Sequence, residues 1–169
     1  MTKEEFKRIS RKIKTLDELE KIVGKEKSEV VLTNGCFSYI HYGHLHYLMS
    51  CKEEKKKLIV CINSDESIKG LKGYEIFMPE HDRAMTIASM SFVDYVYIFS
   101  TKDVTDILTK LHPQVYTKGG DYTLDTINQL EREIIEKYGG EIKFTPKVDG
   151  YSTKEYIKEM RKIDLNDKK

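Results

Sequence analysis

Hydrophobic positions change their spacing along this chain of 169 residues. Near the N terminus they recur at helical intervals, at Phe6, Ile9 and Ile13 and then within residues 16–23, which predicts two amphipathic helices, the second stopped at Gly24. Farther along, short apolar runs alternate with segments of helical periodicity. The runs predict strands at 30–32, 58–62, 95–99, 114–117 and 141–144, and the periodic segments predict helices at about 43–56, 80–90, 104–111 and 126–138, with a last helix from Ser152.

The alternation of strands and helices predicts an α/β fold. Strands connected through helices pair in parallel by right-handed crossovers, so we expect a three-layer open parallel sheet. The almost continuous apolar strands agree, because parallel strands are buried on both faces. We expect one domain over 1–169, with residues 1–27 as a helical lead-in and 28–163 as the core. Ligands of such sheets bind beyond the carboxyl ends of the strands. The loops in that position are 33–43, 63–79, 118–122 and 148–154.

Composition narrows the class of protein. A net charge of +1, from 29 basic and 28 acidic side chains, gives no support for nucleic-acid binding. The N terminus has no apolar signal segment and the longest apolar runs have the length of strands, so neither secretion nor a membrane span is expected. Cys36, Cys51 and Cys61 show no paired spacing, which favours reduced thiols and a cytoplasmic location.

The strongest chemical signal is His41-Tyr42-Gly43-His44, where the first crossover helix begins. A helix start carries free backbone N–H groups and a partial positive charge, which attract phosphate. Imidazoles three residues apart lie on one face and can both donate to phosphoryl oxygens, and Gly43 would let a nucleotide approach the backbone. The preceding turn, Thr33-Asn34-Gly35, could expose further amides. A pair of surface or core histidines is the plain alternative.

A zinc site is a second alternative for these histidines. His46 and Cys51 could share a helix face with His44 and hold a metal ion. The spacings match no standard zinc signature, however, and zinc would leave the glycines and the other loops unexplained. We therefore assign no metal ligand among the side chains.

Basic residues and glycines mark two further loops. Lys69 and Lys72 flank a glycine on a loop that could close over a polyphosphate, and Arg83 could make a bidentate phosphate contact. Taken singly, each of these is an ordinary surface residue. The glycines of Lys118-Gly119-Gly120-Asp121 permit positive φ and close approach to a base or ribose, although a tight turn needs no ligand.

The last predicted helix begins at Tyr151-Ser152-Thr153. Ser152 followed by Glu155 is a capping-box pattern, which a helix uses without any ligand. The free amides of a helix start can also bind phosphate. One segment can therefore serve both purposes.

Two of these segments together resemble a known signature. Leu32-Thr33-Asn34-Gly35-Cys36-Phe37 followed by His41-Tyr42-Gly43-His44 is similar to the HxGH signature of the cytidylyltransferase-like nucleotidyltransferase superfamily. Within it, the chain most resembles the heptose 1-phosphate adenylyltransferase (ADP-heptose synthase) family, from about residue 14 to residue 163. The Lys118-Gly119-Gly120-Asp121-Tyr122 segment favours this branch over the glycerol-phosphate branch. Further matching segments are 63–65, 71–73, 82–83 and 152–153.

The resemblance implies a Rossmann-like fold and transfer of a nucleoside monophosphate from a nucleoside triphosphate, ATP in this branch, to heptose 1-phosphate, with release of pyrophosphate, for lipopolysaccharide synthesis. It also implies a homodimer, and Mg²⁺ held mainly by the nucleotide phosphates. The implied catalytic residues are His41, His44, Lys72 and Arg83. The implied nucleotide-binding residues are Thr33, Asn34, Gly35, Cys36, Phe37, Gly43, Lys118, Gly119, Gly120, Asp121, Tyr151, Ser152 and Thr153. The implied acceptor-binding residues are Ser38, Asn63 and Asp65.

The match to this family is incomplete at three places. Ser38 stands where the family has aspartate, residues 74–79 replace an arginine–proline stretch, and Lys154 replaces a threonine. Because the first two changes concern the acceptor pocket, two other functions stay open. One is a cytidylyltransferase that acts on glycerol 3-phosphate or a related alcohol phosphate. The other is a catalytically silent module that binds nucleotide or sugar phosphate, against which the retention of both motif histidines, Lys72 and Arg83 argues.

Overall fold

The computed structural model describes residues 2–26, 29–72, 77–120, 122–153 and 155–159, except the side chains of Glu26 and Lys72. The helices are α1 (Lys3–Ser10), α2 (Leu16–Glu26), α3 (Tyr42–Cys51), α4 (Asp65–Lys72), α5 (Glu80–Ala88), α6 (Thr105–Leu111) and α7 (Gln129–Tyr138), and residues 155–159 are also helical. The strands are β1 (Val30–Gly35), β2 (Lys57–Asn63), β3 (Tyr95–Phe99), β4 (Val115–Gly119) and β5 (Glu141–Thr145). No helix within these ranges is long and apolar enough to cross a membrane.

The strands form one parallel sheet in the order β3-β2-β1-β4-β5. Strand β1 is central, and its Leu32 lies between Ile59 of β2 and Tyr116 of β4. The chain adds β2 and β3 on one side of β1 and then β4 and β5 on the other side. The strand order therefore reverses at β1. This order confirms the predicted open parallel α/β sheet. It also opens a crevice between the carboxyl ends of β1 and β4.

Buried side chains form a hydrophobic cluster on each face of the sheet. On β1, Val30 and Leu32 belong to one cluster and Val31 belongs to the other, since successive side chains of a strand point to opposite faces. Helices α2, α6 and α7 cover the first cluster, and α3 and α5 cover the second. Full burial of one such side chain contributes about 1.5–3 kcal/mol. Burial on both faces therefore stabilises the three layers that the sequence predicts.

Three predicted helix boundaries are wrong. Helix α3 ends at Cys51 rather than near residue 56, because the backbone becomes extended at Lys52. Helix α7 begins at Gln129 rather than 126, where the Asn128 side chain caps it by accepting from the second N–H of the helix. Helix α2 continues through Gly24, which was expected to stop it.

Helix α4 lies within the segment 63–79, which the sequence predicts to be a loop. The Ser64 hydroxyl caps its start by accepting from the Ser67 N–H. Ile68 is buried in the core, whereas Leu71 is half exposed. Eight residues with one buried apolar side chain and an internal Gly70 lack the repeated pattern by which a helix is predicted.

The N-terminal lead-in attaches to the edge strand β3. Ile13 forms an isolated parallel bridge with Val96, and Val96 exchanges backbone hydrogen bonds with the residues on either side of Ile13. The Lys12 ammonium donates to the carbonyls of Met90 and Val93. Ile13 therefore extends the sheet edge. The prediction from its spacing that it belongs to the first helix is wrong.

Candidate active site

A cleft of about 680 Å³ opens at the carboxyl edge of the sheet, above the crevice between β1 and β4. Its walls include segments that follow each of the five strands, as the general rule for such sheets predicts. The predicted site residues that it brings together are Asn34, Gly35, Cys36, Phe37, His41, Gly43, His44, Asn63, Lys118, Gly119, Gly120, Tyr151, Ser152 and Thr153. The described residues that do not line it are Thr33, Ser38, Asp65 and Arg83. The Lys72 side chain and Asp121 lie outside the described residues.

The two motif histidines lie at the start of α3, on the wall of the cleft. His41 is the N-cap, with extended backbone (φ −140°), and the His44 N–H donates to its carbonyl. The two ring centroids are 3.8 Å apart, with 30° between the planes. Phe37 contacts the His44 ring edge-on, and Tyr156 stacks on the His41 ring at 5.3 Å. Aromatic contacts thus hold both imidazoles side by side, where a helix start attracts anionic oxygens.

The protonation of His41 follows from its surroundings. Burial lowers the pKa of His41 below its usual value of 6.5. The imidazole is then neutral at pH 7, with one nitrogen as a hydrogen-bond donor and the other as an acceptor. Its Nδ1 is shielded from solvent and has no hydrogen-bond partner among the described residues. His41 is therefore a hydrogen-bonding group at neutral pH, and the positive field of the cleft comes from helix starts and lysines.

Gly43 allows close packing inside the protein. A Cβ at this position would lie 2.9 Å from the Tyr151 Cβ and 3.1 Å from the His41 ring. Tyr151 also contacts the Tyr42 ring, with 4.8 Å between centroids. The sequence predicts that a nucleotide approaches the backbone at Gly43. In the structure it is Tyr151 that packs closely against Gly43 and fills this space. As a result, the histidine segment and the start of the last helix form adjacent walls of the cleft.

Ser152 caps the last helix. Its hydroxyl accepts from the Glu155 N–H at 3.2 Å and donates to the Glu155 carboxylate at 2.8 Å. The predicted N-cap at Ser152 is therefore confirmed, while Glu155 accepts from the Ser152 hydroxyl rather than from the backbone N–H that a full capping box uses. Because the cap uses the Ser152 hydroxyl, contacts from this wall to a phosphate would come from the Thr153 hydroxyl and the backbone amides, which also face the cleft.

Arg83 is completely buried and joins loops of the fold. Its guanidinium donates to the carbonyls of Cys36, Asn63 and Met78 and pairs with Asp65 at 2.6 Å. These contacts use four of the five N–H donors of an arginine. The phosphate contact predicted for Arg83 is therefore wrong for this structure, because the guanidinium is off the cleft and its donors hold the ends of β1 and β2. We call these residues the Arg83 cluster.

The three predicted acceptor-binding residues have different surroundings. Asp65 has a structural role, because it also accepts from the Glu80 N–H while the Glu80 carboxylate accepts from the Asp65 N–H. These bonds join the starts of α4 and α5 and take the carboxylate away from the cleft. The Ser38 Oγ is shielded from solvent and has no hydrogen-bond partner among the described residues, so it cannot line the cleft either. Asn63 does line the cleft.

The crevice between β1 and β4 contains Lys118, Asn34, Tyr116 and Glu131, which we call the Lys118 cluster. The Lys118 ammonium donates to Asn34 Oδ1 at 2.7 Å and lies 3.6 Å from Glu131 Oε2. The Tyr116 hydroxyl donates to Glu131 Oε2 at 2.7 Å and lies 2.9 Å from Asn34 Oδ1. The ammonium also lies over the rings of Tyr116 and Tyr122, 5.3 and 5.4 Å from their centroids. A nearly buried lysine, predicted to bind nucleotide, thus lies in the cleft beside a buried carboxylate.

Burial and charge act in opposite directions on Lys118. Burial lowers the pKa of Lys118, and the charge of Glu131 opposes this shift. Burial and the same carboxylate raise the pKa of Tyr116 well above its usual range, so its phenol stays protonated and can donate. Glu131 therefore favours the charged form of Lys118 in this part of the cleft.

Tyr47 joins the two central strands beneath the cleft. Its hydroxyl lies 2.5 Å from the Thr33 hydroxyl and donates to the Thr117 carbonyl. Gly119 makes room for this ring, since a Cβ there would lie 2.6 Å from it. Thr33 is a buried strand residue rather than part of a nucleotide-binding turn, because β1 continues beyond it. The positive φ predicted for the glycine pair occurs at Gly120, at +92°.

The sequence pattern does not single out Glu131 or Tyr47. Glu131 lies four residues after Ile127 and four before Ile135, which are both buried. An acidic residue within an apolar stripe at helical spacing is a signal that can identify such a position. Tyr47 has no comparable mark, because a tyrosine in a predicted helix also fits a core. Other wall residues without a sequence signal are Lys102, Asp103, Asn128 and Lys147.

The zinc alternative finds no support in the geometry. Within the described ranges, no group of three or more His, Cys, Asp or Glu side chains could hold a metal ion. His46 is exposed, whereas Cys51 belongs to a core cluster. Burial raises the pKa of the Cys51 thiol to about 12, and metal ions bind the thiolate.

The family model and the known proteins that match this chain agree with one another. The family model described as cytidylyltransferase-like matches residues 32–159. The bifunctional protein HldE of Geobacter sulfurreducens is 39% identical over 155 residues, which cover 89% of this chain and 31% of that protein. HldE of Campylobacter concisus is 38% identical over 160 residues, which cover 94% and 33% of the two chains. The chain therefore spans about a third of the length of these relatives.

Solved structures share the fold. The lipopolysaccharide core biosynthesis protein of Thermoplasma volcanium superimposes with a TM-score of 0.58 at 25% identity, over 74% of this chain and 99% of that one. The pantoate–β-alanine ligase of Francisella tularensis gives a TM-score of 0.57 at 13% identity, over 79% and 66% of the two chains. At 13% identity the second structure shows similarity of fold alone.

Proposed function

The chain belongs to the cytidylyltransferase-like family of nucleotidyltransferases, and we propose that it transfers an adenylyl group from ATP to heptose 1-phosphate and releases pyrophosphate. The observation that carries this proposal is the pair of imidazoles of His41 and His44 at the start of α3, inside a cleft of about 680 Å³. The start of the last helix lies on the adjacent wall. Two helix starts at one cleft favour a ligand with several phosphates.

The reaction needs positioning and charge stabilisation rather than a nucleophilic side chain. An oxygen of the acceptor phosphate attacks the α-phosphorus of ATP in line, and pyrophosphate leaves from the opposite side. His41 and His44 would donate N–H hydrogen bonds to the phosphoryl oxygens, where negative charge increases during the attack. Thr153 and the neighbouring amides would hold the leaving phosphates.

Lys72 and Arg83 have different proposed roles. Lys72 keeps its proposed role of closing over the leaving pyrophosphate, although its side chain lies outside the described residues. Arg83 acts indirectly. Its guanidinium donates hydrogen bonds to the carbonyls of Cys36 and Asn63, and both residues line the cleft. We therefore propose that Arg83 supports the shape of the cleft and does not contact the substrate.

We also propose that Mg²⁺ accompanies the nucleotide. Mg²⁺ keeps several waters and needs one or two carboxylates besides phosphate oxygens, and when bound it neutralises phosphate charge. Two described acidic side chains, Asp103 and Glu131, line the cleft, and both already have hydrogen-bond partners: Thr105 and Asn128 donate to Asp103, and Tyr116 donates to Glu131. We therefore propose that the nucleotide phosphates and water would supply most of the ligands of the ion.

Heptose 1-phosphate as acceptor is supported by the Lys118-Gly119-Gly120-Asp121-Tyr122 segment, which resembles the heptose branch, and by the HldE relatives. The Thermoplasma volcanium structure, described as a lipopolysaccharide core biosynthesis protein, supports the same class of product. The homodimer implied by the resemblance stays a prediction, which sedimentation at several protein concentrations would test.

The proposal is tested by measuring pyrophosphate release with Mg²⁺, crossing ATP, CTP and GTP with heptose 1-phosphate, other sugar 1-phosphates and glycerol 3-phosphate. We expect release with ATP and heptose 1-phosphate. Release with CTP and glycerol 3-phosphate would retain the mechanism and replace the substrates. Nucleotide binding without release for any pair would contradict the proposed reaction and favour a silent binding module.

Replacement of His44 tests the role of the histidines. We expect His44→Ala to lower kcat by about 10²–10³, as loss of one donor to transition-state charge does elsewhere, with a small change in the KM for ATP. The control is His46→Ala, an exposed histidine of the same helix, which should retain activity. Equal losses in kcat and in ATP affinity for His44→Ala would contradict a role in the transition state.

A further inference from the structure

Glu131 is a buried acid at the bottom of the candidate active site, with 2% of its surface exposed. Its Oε2 accepts from the Tyr116 hydroxyl at 2.7 Å and lies 3.6 Å from the Lys118 ammonium. Its Oε1 accepts from the Val104 N–H at 3.4 Å. The carboxylate therefore has a protein partner at each oxygen and hardly any surface for a ligand.

A carboxylate in such a place needs an explanation beyond stability. Burial of a charge is unfavourable unless the charge is paired, and apolar residues of similar volume often stabilise a fold as well or better. Here the partner of the acid is a lysine whose side chain is 11% exposed and lines the cleft. The cleft is proposed to bind a polyanion, for which a charged ammonium group is required.

Resting on the proposed function, we infer that Glu131 is a positioning residue: its carboxylate keeps the Lys118 ammonium charged and fixed at the junction of β1 and β4, where it meets the nucleotide. Glu131 acts through Lys118 because its side chain is 3% exposed, against 11% for Lys118, and both of its oxygens already accept from protein groups. Asn34 fixes the direction of the same ammonium by accepting from it at 2.7 Å.

The groups around Lys118 explain why one acid has this effect. In the described part of the chain, the titratable groups that act on the ammonium are the thiols of Cys36 and Cys61 and the carboxylate of Glu131, and the phenols of Tyr116 and Tyr122 lie beneath it. Burial raises the pKa of Cys61 and of Tyr116, so both stay neutral. Glu131 supplies the negative charge that opposes the lowering of the Lys118 pKa by burial.

The titration of Lys118 in the ligand-free protein is the first test. Lysine labelled with ¹³C at Cε reports the protonation of each ammonium by NMR, and Lys118→Met assigns the resonance. We expect Glu131→Gln, which retains an oxygen acceptor for Tyr116, to lower the pKa of Lys118. The matched control is Glu133→Gln, an exposed acid of the same helix, which should leave the titration unchanged.

ATP binding, measured by calorimetry over a pH range that extends above the Lys118 titration found in the first test, is the second test. Above both pKa values, each unit by which the Lys118 pKa falls should weaken ATP binding by about tenfold. The affinity of Glu131→Gln should therefore decline with rising pH toward that of Lys118→Met. Adding Glu131→Gln to Lys118→Met should change little, because the acid acts through the lysine.

Lys118→Arg is a second variant for the same question. Arginine stays protonated in proteins, so ATP affinity should not fall with pH when Glu131→Gln is added to Lys118→Arg. An unchanged Lys118 pKa in Glu131→Gln would overturn the inference. So would a lowered pKa with no corresponding change in ATP affinity. Because the ligand-free titration needs no turnover, absence of pyrophosphate release would count against the proposed function alone.

Discussion

The Arg83 cluster and the Lys118 cluster lie on opposite sides of β1 and make different use of a buried cation. Arg83 has no exposed surface, and its guanidinium has three backbone carbonyls and Asp65 as partners. Lys118 is nearly as buried, but its described partners are one amide oxygen and one carboxylate. An ammonium group has three donors, and among the described residues Lys118 has two partners, so we expect one donor to be available to a ligand.

The difference shows that burial of a basic residue does not by itself indicate its role. The donors of Arg83 are directed at backbone carbonyls and at Asp65, and its side chain does not line the cleft, so the guanidinium is part of the framework. Lys118 has a carboxylate beside it and does line the cleft. The partners of the donors and the position relative to the cleft therefore separate a structural cation from one that can bind substrate.

The largest expected effect is on stability, from removal of the guanidinium. Arg83→Met removes the donor that three backbone carbonyls share, and each buried polar group left without a partner costs about 1–3 kcal/mol. Urea unfolding measures this change. Arg132→Met, which removes an arginine paired with Glu136 on the surface of α7, should change stability by less than about 1 kcal/mol. Similar losses in the two variants would contradict the structural role of Arg83.

The next effect should separate the clusters by ligand binding. Lys118→Met removes a charged hydrogen-bond donor worth about 1.5–3 kcal/mol, so ATP should bind about 10- to 100-fold more weakly. The folded fraction of Arg83→Met should lose less ATP affinity than Lys118→Met, because Arg83 supports the cleft only through the carbonyls of Cys36 and Asn63. Calorimetry with Lys110→Met as a surface control measures both. An equal loss of ATP affinity in the Arg83 and Lys118 variants would remove the distinction between the clusters.

Packing beside Lys118 gives a smaller effect. Gly119→Ala places a methyl group 2.6 Å from the Tyr47 ring, and such overpacking costs about 1–3 kcal/mol. Gly70→Ala is the matched change in open space, within α4, and should stabilise the protein by about 0.5–1 kcal/mol. Urea unfolding of both variants tests the contact. A neutral Gly119→Ala would mean that Tyr47 does not fix the end of β4.

The smallest expected effect is on the pH dependence of the unfolding free energy, through His41. The pKa of His41 lies below 6.5 in the folded protein because of burial, so the unfolded chain binds a proton more readily. The unfolding free energy should therefore fall as pH decreases from 6.5 through the folded pKa. His41→Gln should flatten this part of the profile, measured by urea unfolding between pH 5 and 7. An unchanged slope would show that His41 is not the group responsible.

The sequence predicts the sheet better than the helices around it. Apolar runs identify the central strands, because parallel strands buried on both faces carry that pattern, whereas the edge strand β5 alternates apolar with charged residues and is mostly half-buried. The sequence pattern does not predict helix α4, because Ile68 is its one buried apolar side chain among the described residues. It also misplaces the end of α3, which is set by the extended backbone at Lys52. Local patterns report burial along one element, whereas helix ends also depend on contacts with distant residues.

What the sequence determined by itself is the order of elements and the loops that meet at the carboxyl edge of the sheet, because both follow from local periodicity and from the handedness of crossovers. It also placed His41, His44 and Lys118 at one cleft. Only the tertiary structure decided that Arg83 is a buried framework residue and that Gly43 makes room for Tyr151. Those roles depend on which groups the donors contact and which atoms fill the space, and both are set by residues far apart in the chain.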